Sequence, residues 1–350
     1  MATATAFTPS TFAKLSPHPF LLANLQRPDA DATTPPSRAN GRRPDEPRCL
    51  SVNTSSLSHA HGSAMVRVGD TSVICGVRGE ILPATHIPQW RVPKGRVERE
   101  GMTADELREE GAREMQDYDL LVPNIELATG CAPQFLPGVP PSSLAQTLST
   151  RVYSLLHNAG VLNTEDLRIW YDPPAPAAEQ DTMGDEGDEA QVEEREVKAY
   201  WTLYIDVLFI SFDGNPFDAA WAAILAALRD TKLPKAWWDA DREMVLCSSK
   251  ETKPLGTSGL PVACTAAVLT NREQDSGQGE PKSWVLVDPD REEEKLCDES
   301  VTVVVDRTGG ETRIRGISKV GGRLLGSKEI REMVGVAERR WDVLSKELSQ

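Results

Sequence analysis

One short run of the chain carries side chains that could engage a polyanion. His86-Ile-Pro-Gln-Trp-Arg-Val-Pro-Lys-Gly-Arg-Val-Glu-Arg-Glu100 sets Arg91, Lys94, Arg96 and Arg99 against only Glu98 and Glu100, with Trp90 just ahead of them. An indole can stack on an unpaired base while neighbouring cations meet phosphates, which is the chemistry of single-stranded nucleic-acid binding. A solvated basic loop, or a contact with an acidic neighbour, accounts for the same run. His59 and His61 form the one close histidine pair, but no carboxylate or cysteine stands at ligand spacing beside them, so they read as surface or turn residues. The cysteines at positions 49, 75, 131, 247, 264 and 297 are scattered without a CxxC pair and read as reduced thiols of the core. GxxxxGK(S/T), GxSxG, GxGxxG and HExxH are absent, which removes the nucleotide-cradling, serine-hydrolase, dinucleotide and zincin chemistries. No metal or cofactor is expected.

The composition limits what that basic run can do. Net charge is −15, with 38 Lys and Arg against 53 Asp and Glu, so a free-standing nucleic-acid binder is disfavoured and any such contact must be local or shared with other chains. The acidity is concentrated: nine carboxylates lie from Glu179 to Glu196 against a single Arg195, with Gly184 and Gly187 among them and Pro173, Pro174 and Pro176 before them. This stretch, bounded at about 173–198, cannot bury enough apolar surface to order itself and reads as a disordered insert. With 350 residues, 39% of them hydrophobic, the chain can bury one large core or two smaller ones. No membrane-length apolar stretch and no secretory leader is seen, and the arginine-free opening only faintly resembles a transit peptide. A soluble chain of the cytosol or nucleus is expected, with no membrane partner.

The elements that must position these residues follow from periodicity. A short apolar stretch from Phe12 to Leu25 suits a docking helix; Leu50–Leu57 suits a strand, and residues 63–78 a hairpin turning at Gly69-Asp70, with Ala64, Val66 and Val68 facing one way and Val73, Cys75 and Val77 continuing the pattern. Ser143 and Gln146 have capping-box spacing ahead of a helix using Leu144, Leu148, Val152, Leu155 and Leu156. Tyr200–Phe212 is nearly continuously apolar, as a central strand covered on both faces would be. The turn Asp213-Gly214-Asn215 leads into a helix with Pro216 in its first turn and Trp221, Ile224, Leu225 and Leu228 inward. Strands return at 261–269, 284–287, 300–305 and 311–317, and Ser327 can cap a final helix using Ile330, Met333, Val334, Ala337, Trp341, Leu344 and Leu348. The pattern is α+β, in two strand-rich halves each followed by helix.

Four stretches carry a family resemblance. Ser37-Arg-Ala-Asn-Gly-Arg-Arg-Pro-Asp-Glu-Pro-Arg48, the hairpin Gly62–Glu80, and Asp206–Ala220 with its Asp-Gly-Asn turn resemble the RNase PH-type ring subunits of the RNA exosome, and Val285–Val301 resembles their second half. The likeness spans residues 37–348. It implies an RNase PH fold, ribosomal protein S5 domain 2-like, with an N-terminal extension at 1–36, a first domain at 37–258 and a second at 259–350. It also implies other ring subunits and RNA-binding cap subunits as partners, single-stranded RNA in a shared channel, and a place in the nucleus, nucleolus and cytoplasm. The basic run around Trp90 follows the hairpin, where the family's loop lies near the channel.

The same resemblance bears on activity. Active members hold phosphate with two adjacent arginines at a helix start and a metal with two aspartates six positions apart. The comparable positions here are Thr150-Arg151 and the pair Lys282 and Asp288, with Asp275 the nearest upstream carboxylate, so one arginine and one metal carboxylate are replaced. Cation binding beside a lysine is opposed by charge. The expectation is a non-catalytic ring subunit; the alternative is an active phosphate-dependent 3′-to-5′ exoribonuclease. Arg151 is expected as an exposed helix arginine and Asp288 as a strand-end or turn carboxylate.

Overall fold

Alternating burial builds the first sheet around one hairpin. Ala64, Val66 and Val68 of β2 (Gly62–Val68) and Val73, Cys75 and Val77 of β3 (Thr71–Pro83) are all buried, and Gly69 takes the positive φ that the turn between them requires. In the computed structural model, which describes residues 8–26, 36–92, 102–171, 173, 195–270, 283–322 and 326–348, β1 (Leu50–Thr54) joins β2 and β6 (Glu196–Ser211) joins β3. β4 (Leu121–Leu127) adds to β6 in parallel, and β5 (Arg168–Tyr171) pairs with the start of β6, giving the order β1-β2-β3-β6-β4. The acidic segment joins β5 to β6; residues 174–194 lie outside the described residues, and Glu196, Val197 and Lys198, expected within the insert, instead open β6, where Val197 and Glu196 pair with Trp170 and Tyr171 of β5.

β6 corrects one expectation. It is continuously buried only over 199–203; beyond that it alternates, with Asp206, Leu208 and Ile210 exposed, because helices cover one face of this mostly antiparallel sheet and leave the other open. The covering elements include α3 (Ala104–Asp117), α4 (Ser143–Asn158) and α5 (Pro216–Asp230). Before them, α1 (Pro9–Leu15) and α2 (Pro17–Leu25) replace the single expected helix, Pro17 starting the second. The cap of α4 is the Ser142 hydroxyl, which accepts the Ala145 N–H at 3.2 Å, rather than Ser143.

α5 is the shared core of the two lobes. Every residue from Pro216 to Leu228 is buried, because the helix packs on β1, β2 and β3 on one side and on β9 (Val262–Thr270) on the other. Trp221 buries its ring here and donates its indole N–H to the Pro261 carbonyl at 2.6 Å. The second sheet runs β10-β9-β11-β12, with β10 at Ser283–Val287, β11 at Glu299–Asp306 and β12 at Arg313–Val320. The short helix α6 (Arg291–Leu296) follows β10, and α7 (Ser327–Glu347) lays Met333, Val336 and Ala337 on Val301, Val303 and Val305. Gly326 occupies the N-cap of α7 with no side-chain cap, so Ser327 begins the helix without capping it. Leu21, Leu22 and Leu25 of α2 cover Leu269 and Leu286 on the outer side of this lobe.

A hairpin of β7 (Lys232–Asp239) and β8 (Met244–Pro254) stands apart from both sheets. Its β8 strand is largely exposed, so Cys247 is a surface thiol, as is Cys49; the expectation of core thiols holds for Cys75, Cys131 and Cys264. No described helix is long and apolar enough to cross a membrane.

Candidate functional site

The arm before β1 is threaded into the second lobe by its arginines. Arg38, 2% exposed, donates to the carbonyls of Val287 and of Pro44 (2.5 Å for the latter) and to the Glu293 carboxylate at 3.2 Å. Arg48 reaches the end of β10. Its Nε and Nη2 clamp the two oxygens of Asp288 at 3.0 and 2.8 Å, its backbone N–H adds a third bond at 2.7 Å, and its Nη1 donates to the Asp213 carbonyl at 2.5 Å. Asn215, in a left-handed conformation before α5, donates to Asp288 at 2.7 Å and to Asp218 at 2.9 Å.

Asp288 is therefore a saturated carboxylate. Each oxygen accepts two donors, and a carboxylate offers about four such positions. Burial alone would raise its pKa, but the hydrogen bonds and charge of Arg48 hold it well below the usual range. Asp218 is buried beside it and accepts the Thr265 N–H and hydroxyl at 2.8 and 2.7 Å; there burial prevails over those bonds and pushes the carboxyl up. The turn needs Gly214: its φ is +78°, and a Cβ there would meet the Asp290 backbone at 2.5 Å, which is how closely the two lobes approach.

Beside this network, a cleft of about 220 Å³ opens between the lobes, its walls including Arg151, Phe217, Thr265, Glu294 and Ser300. Arg151 is not the exposed helix arginine expected: its guanidinium lies 4.0 Å from the Phe217 ring centroid and donates to the Thr302 hydroxyl at 2.8 Å, which closes the gap between α4 and β11. Thr150 donates its hydroxyl to Gln146 O, on its own helix, at 3.0 Å. Glu294 accepts the Asn215 N–H at 2.7 Å, and burial pushes its carboxyl up to about 7. Asp298 and Glu299 also line the cleft. An incoming phosphate would thus meet one guanidinium, already engaged, and several carboxylates. The metal that the resemblance implies does not fit here either: the lone pairs of Asp288 are taken, and its expected companion position is Lys282, outside the described residues.

The described part of the basic run lies elsewhere. Trp90 is half-buried against the core of the first lobe, and Arg91 is exposed, its backbone N–H donating to the Tyr118 hydroxyl at 3.1 Å. Neither lines the cleft, and Lys94, Arg96 and Arg99 lie outside the described residues. His61 accepts the Gly79 N–H on its Nδ1 at 2.9 Å, a turn role as expected. Sequence reasoning missed the lobe junction built by Arg38, Arg48, Asn215 and Glu293; the cluster of arginines from 38 to 48 was the available signal, but their acceptors are some 240 to 255 positions away.

Comparison with known proteins meets this geometry. Residues 46–234 match the model of the 3′ exoribonuclease family, domain 1, and residues 259–340 that of domain 2. Exosome complex component rrp43 of Schizosaccharomyces pombe is 30% identical over 337 residues, 96% of each chain. Exosome complex component Rrp42 of Methanopyrus kandleri is 28% identical over 290 residues, 83% of this chain and 84% of the relative. Among solved structures, an Archaeoglobus fulgidus exosome with RNA bound to the active site shares the fold at TM-score 0.61 and 24% identity, covering 94% of this chain and 96% of that one. An archaeal exosome core does so at TM-score 0.60 and 22% identity, covering 98% and 100%.

Proposed function

Because this chain belongs to the 3′ exoribonuclease family through both of that family's domains, we propose that it is a ring subunit of an RNA exosome that supports RNA processing without cutting RNA itself. The ring role is supported by the relatives, named exosome components, which align over most of their lengths. The non-catalytic role is carried by one observation. Asp288, the surviving metal-site carboxylate, is saturated by Arg48 and Asn215 and serves as the bolt between the N-terminal arm, the α5 turn and β10. Thr150 in place of a second phosphate arginine and Lys282 in place of a carboxylate agree with it. Catalysis of phosphorolysis needs preorganised charge around the reacting phosphoryl group, and the cleft offers a single guanidinium, already engaged, among carboxylates.

In this reading the chain forms part of the wall of an RNA channel, contacts other ring subunits and RNA-binding cap subunits, and works in the nucleus, nucleolus and cytoplasm. Trp90, Arg91, Lys94, Arg96 and Arg99 form its RNA contact. The exposed Arg91 beside a partly open Trp90 supports this assignment. The test is the purified chain, alone and with a co-expressed ring partner, on oligoadenylate with and without phosphate. The chain alone should release no nucleoside diphosphate; release that requires phosphate and is absent from a mock preparation would replace this reading with that of an active exoribonuclease.

A further inference from the structure

A second cleft, away from the lobe junction, opens where the β7–β8 hairpin meets β5. It holds about 470 Å³, a volume in the range of small-ligand sites. Its inner side is apolar, with Ile169, Leu233 and Leu255 all buried. Three of the chain's eight tryptophans line it: Trp201 at 6% exposure, Trp170 half-buried, and Trp237 on the hairpin at 44% exposure.

Four cations share that lining with only two carboxylates, Glu165 and Asp166. Arg195 lies over the Trp170 ring, 4.7 Å from its centroid, and Lys235 and Lys253 stand on the two strands of the hairpin. Arg168 is buried, its guanidinium shared between Glu114 and Glu165. The lysines are tied at the surface, Lys253 to Asp166 at 2.6 Å and Lys235 to Glu251 at 2.9 Å, with lysine side chains 66% and 64% exposed. Exposed pairs of this kind are weak, so a phosphate can take the lysines over. In a chain of net charge −15, indoles interleaved with cations make a lining suited to stacked bases and their phosphates.

Strand register places this cleft near the basic run. Pro83, the last residue of β3, and Ile169 of β5 both pair with Ala199 of β6, one on each side, so about 10 Å separates their backbones. The run carrying Trp90 and Arg91 sets out from that end of β3. A chain of contacts completes the link. Glu114, held by Arg168, accepts the Tyr200 hydroxyl; the Tyr200 ring meets Tyr118 edge-on at 5.5 Å; and the Tyr118 hydroxyl accepts the Arg91 N–H at 3.1 Å.

We infer that this cleft is a second site for single-stranded RNA, in which a base stacks on Trp237, Arg195, Lys235 and Lys253 meet the adjoining phosphates, and the strand continues to the basic run around Trp90. The choice of RNA rests on the ring-subunit reading and on that continuity. The rival occupant is an acidic peptide, the chain's own acidic segment first of all, because it leaves at Tyr171 and returns at Arg195 beside the same cleft. Carboxylates would meet the lysines as well as phosphates do, but they give the indoles nothing to stack on.

The test is the affinity of a short fluorescein-labelled oligoadenylate for the full-length chain, alone and in a reconstituted ring, by anisotropy over a salt series. Trp237→Ala should weaken binding about fivefold or more, and Trp237→Phe should keep most of it. Lys235→Glu with Lys253→Glu should weaken it at least tenfold and lower the salt slope by about 1.4, the value for two phosphate contacts on a single strand. Lys232→Glu with Lys250→Glu, the same reversal at exposed positions of the hairpin outside the cleft, is the control and should change neither. Thermal unfolding of each isolated variant reports on its fold, and ultraviolet cross-links of the wild type should fall within 232–237 or 168–170. An affinity within twofold of wild type in Trp237→Ala or in the Lys235 and Lys253 reversal would overturn the inference, as would an equal loss in the control. So would a synthetic peptide of residues 172–194 that cross-links to the cleft where the oligonucleotide does not. If reversing Arg91, Lys94 and Arg96 abolishes binding while the cleft variants keep it, the RNA contact of the proposed function stands and this site falls. If the chain enters no ring, the ring-subunit reading fails, and the measurements on the chain alone still decide this site.

Discussion

Replacing Arg48 by methionine keeps most of the side-chain volume and removes the charge, which isolates the role of the Asp288 clamp. Both partners are nearly inaccessible, with side-chain exposures of 8% and 3%, so solvent screening reduces their interaction little. The variant loses two of the four bonds to Asp288 and the donor to the Asp213 carbonyl, leaving a buried carboxylate with only the Arg48 backbone N–H and Asn215. Breaking a buried pair from one side costs about 3–5 kcal/mol. Against a typical total of about 5–15 kcal/mol, such a loss removes a large part of the stability.

The pH dependence follows from the same carboxyl. In the wild type its folded pKa is depressed, so its contribution is present above the unfolded value of 3.8 and is lost as pH falls through the folded value. Without Arg48, burial dominates and the folded pKa rises, so protonation relieves the variant in acid. The stability gap measured by urea unfolding should therefore be widest near neutrality, begin to shrink as pH falls through the variant's raised folded pKa, above 3.8, and go on shrinking towards the depressed folded pKa of the wild type. Adding Asp288→Asn should recover part of the loss. A cost below about 1 kcal/mol at neutral pH, as for an exposed ion pair, would refute the clamp.

Three further outcomes follow from the lobe junction and the basic run. Gly214→Ala should destabilise the chain by more than about 1 kcal/mol in the same unfolding assay, through its positive φ and the contact with the Asp290 backbone. The Glu294 carboxyl, raised by burial to about 7, contributes stability that is complete below the unfolded value near 4.5 and is lost as pH rises through 7; Glu294→Gln should flatten that slope in pH-dependent thermal melts. Reversing Arg91, Lys94 and Arg96 to Glu in a reconstituted ring should weaken single-stranded RNA binding and reduce its salt slope by about 2 or more, measured by fluorescence anisotropy over a salt series.

The parts of the fold with strong local patterns were legible from sequence. Ala64 to Val77 alternates through a Gly-Asp turn, and Pro216 to Leu228 has both a helix start and a continuous supply of helix formers, and each forms the element expected. α3 escaped because its sequence is almost wholly polar: Met115 is its buried apolar anchor, and Gly111 sits where a Cβ would strike the Thr164 hydroxyl at 2.5 Å. β7 and β8 escaped because an exposed hairpin shows no buried alternation, and Ser248, Lys250 and Thr252 read as loop. The site was legible only through resemblance. Nothing near Arg48 announces Asp288, which the chain brings to it 240 positions later, and Arg151 looks like any helix arginine until Phe217 and Thr302 come to meet it. The basic run at 90–99 was visible by composition, but a charge pattern locates no partner.

In the proposed function Asp288 holds the structure together and takes no part in chemistry. Its most direct test is phosphate-dependent nucleoside diphosphate release from oligoadenylate by a reconstituted ring carrying Asp288→Asn in this chain, with the rate normalised to assembled ring and the thermal stability of the isolated variant measured alongside. The expected result is a lowered melting temperature and an unchanged phosphorolytic rate per ring, whether that rate is zero or is supplied by a partner. A rate that falls tenfold or more in rings that assemble normally, with no loss of thermal stability, would contradict it.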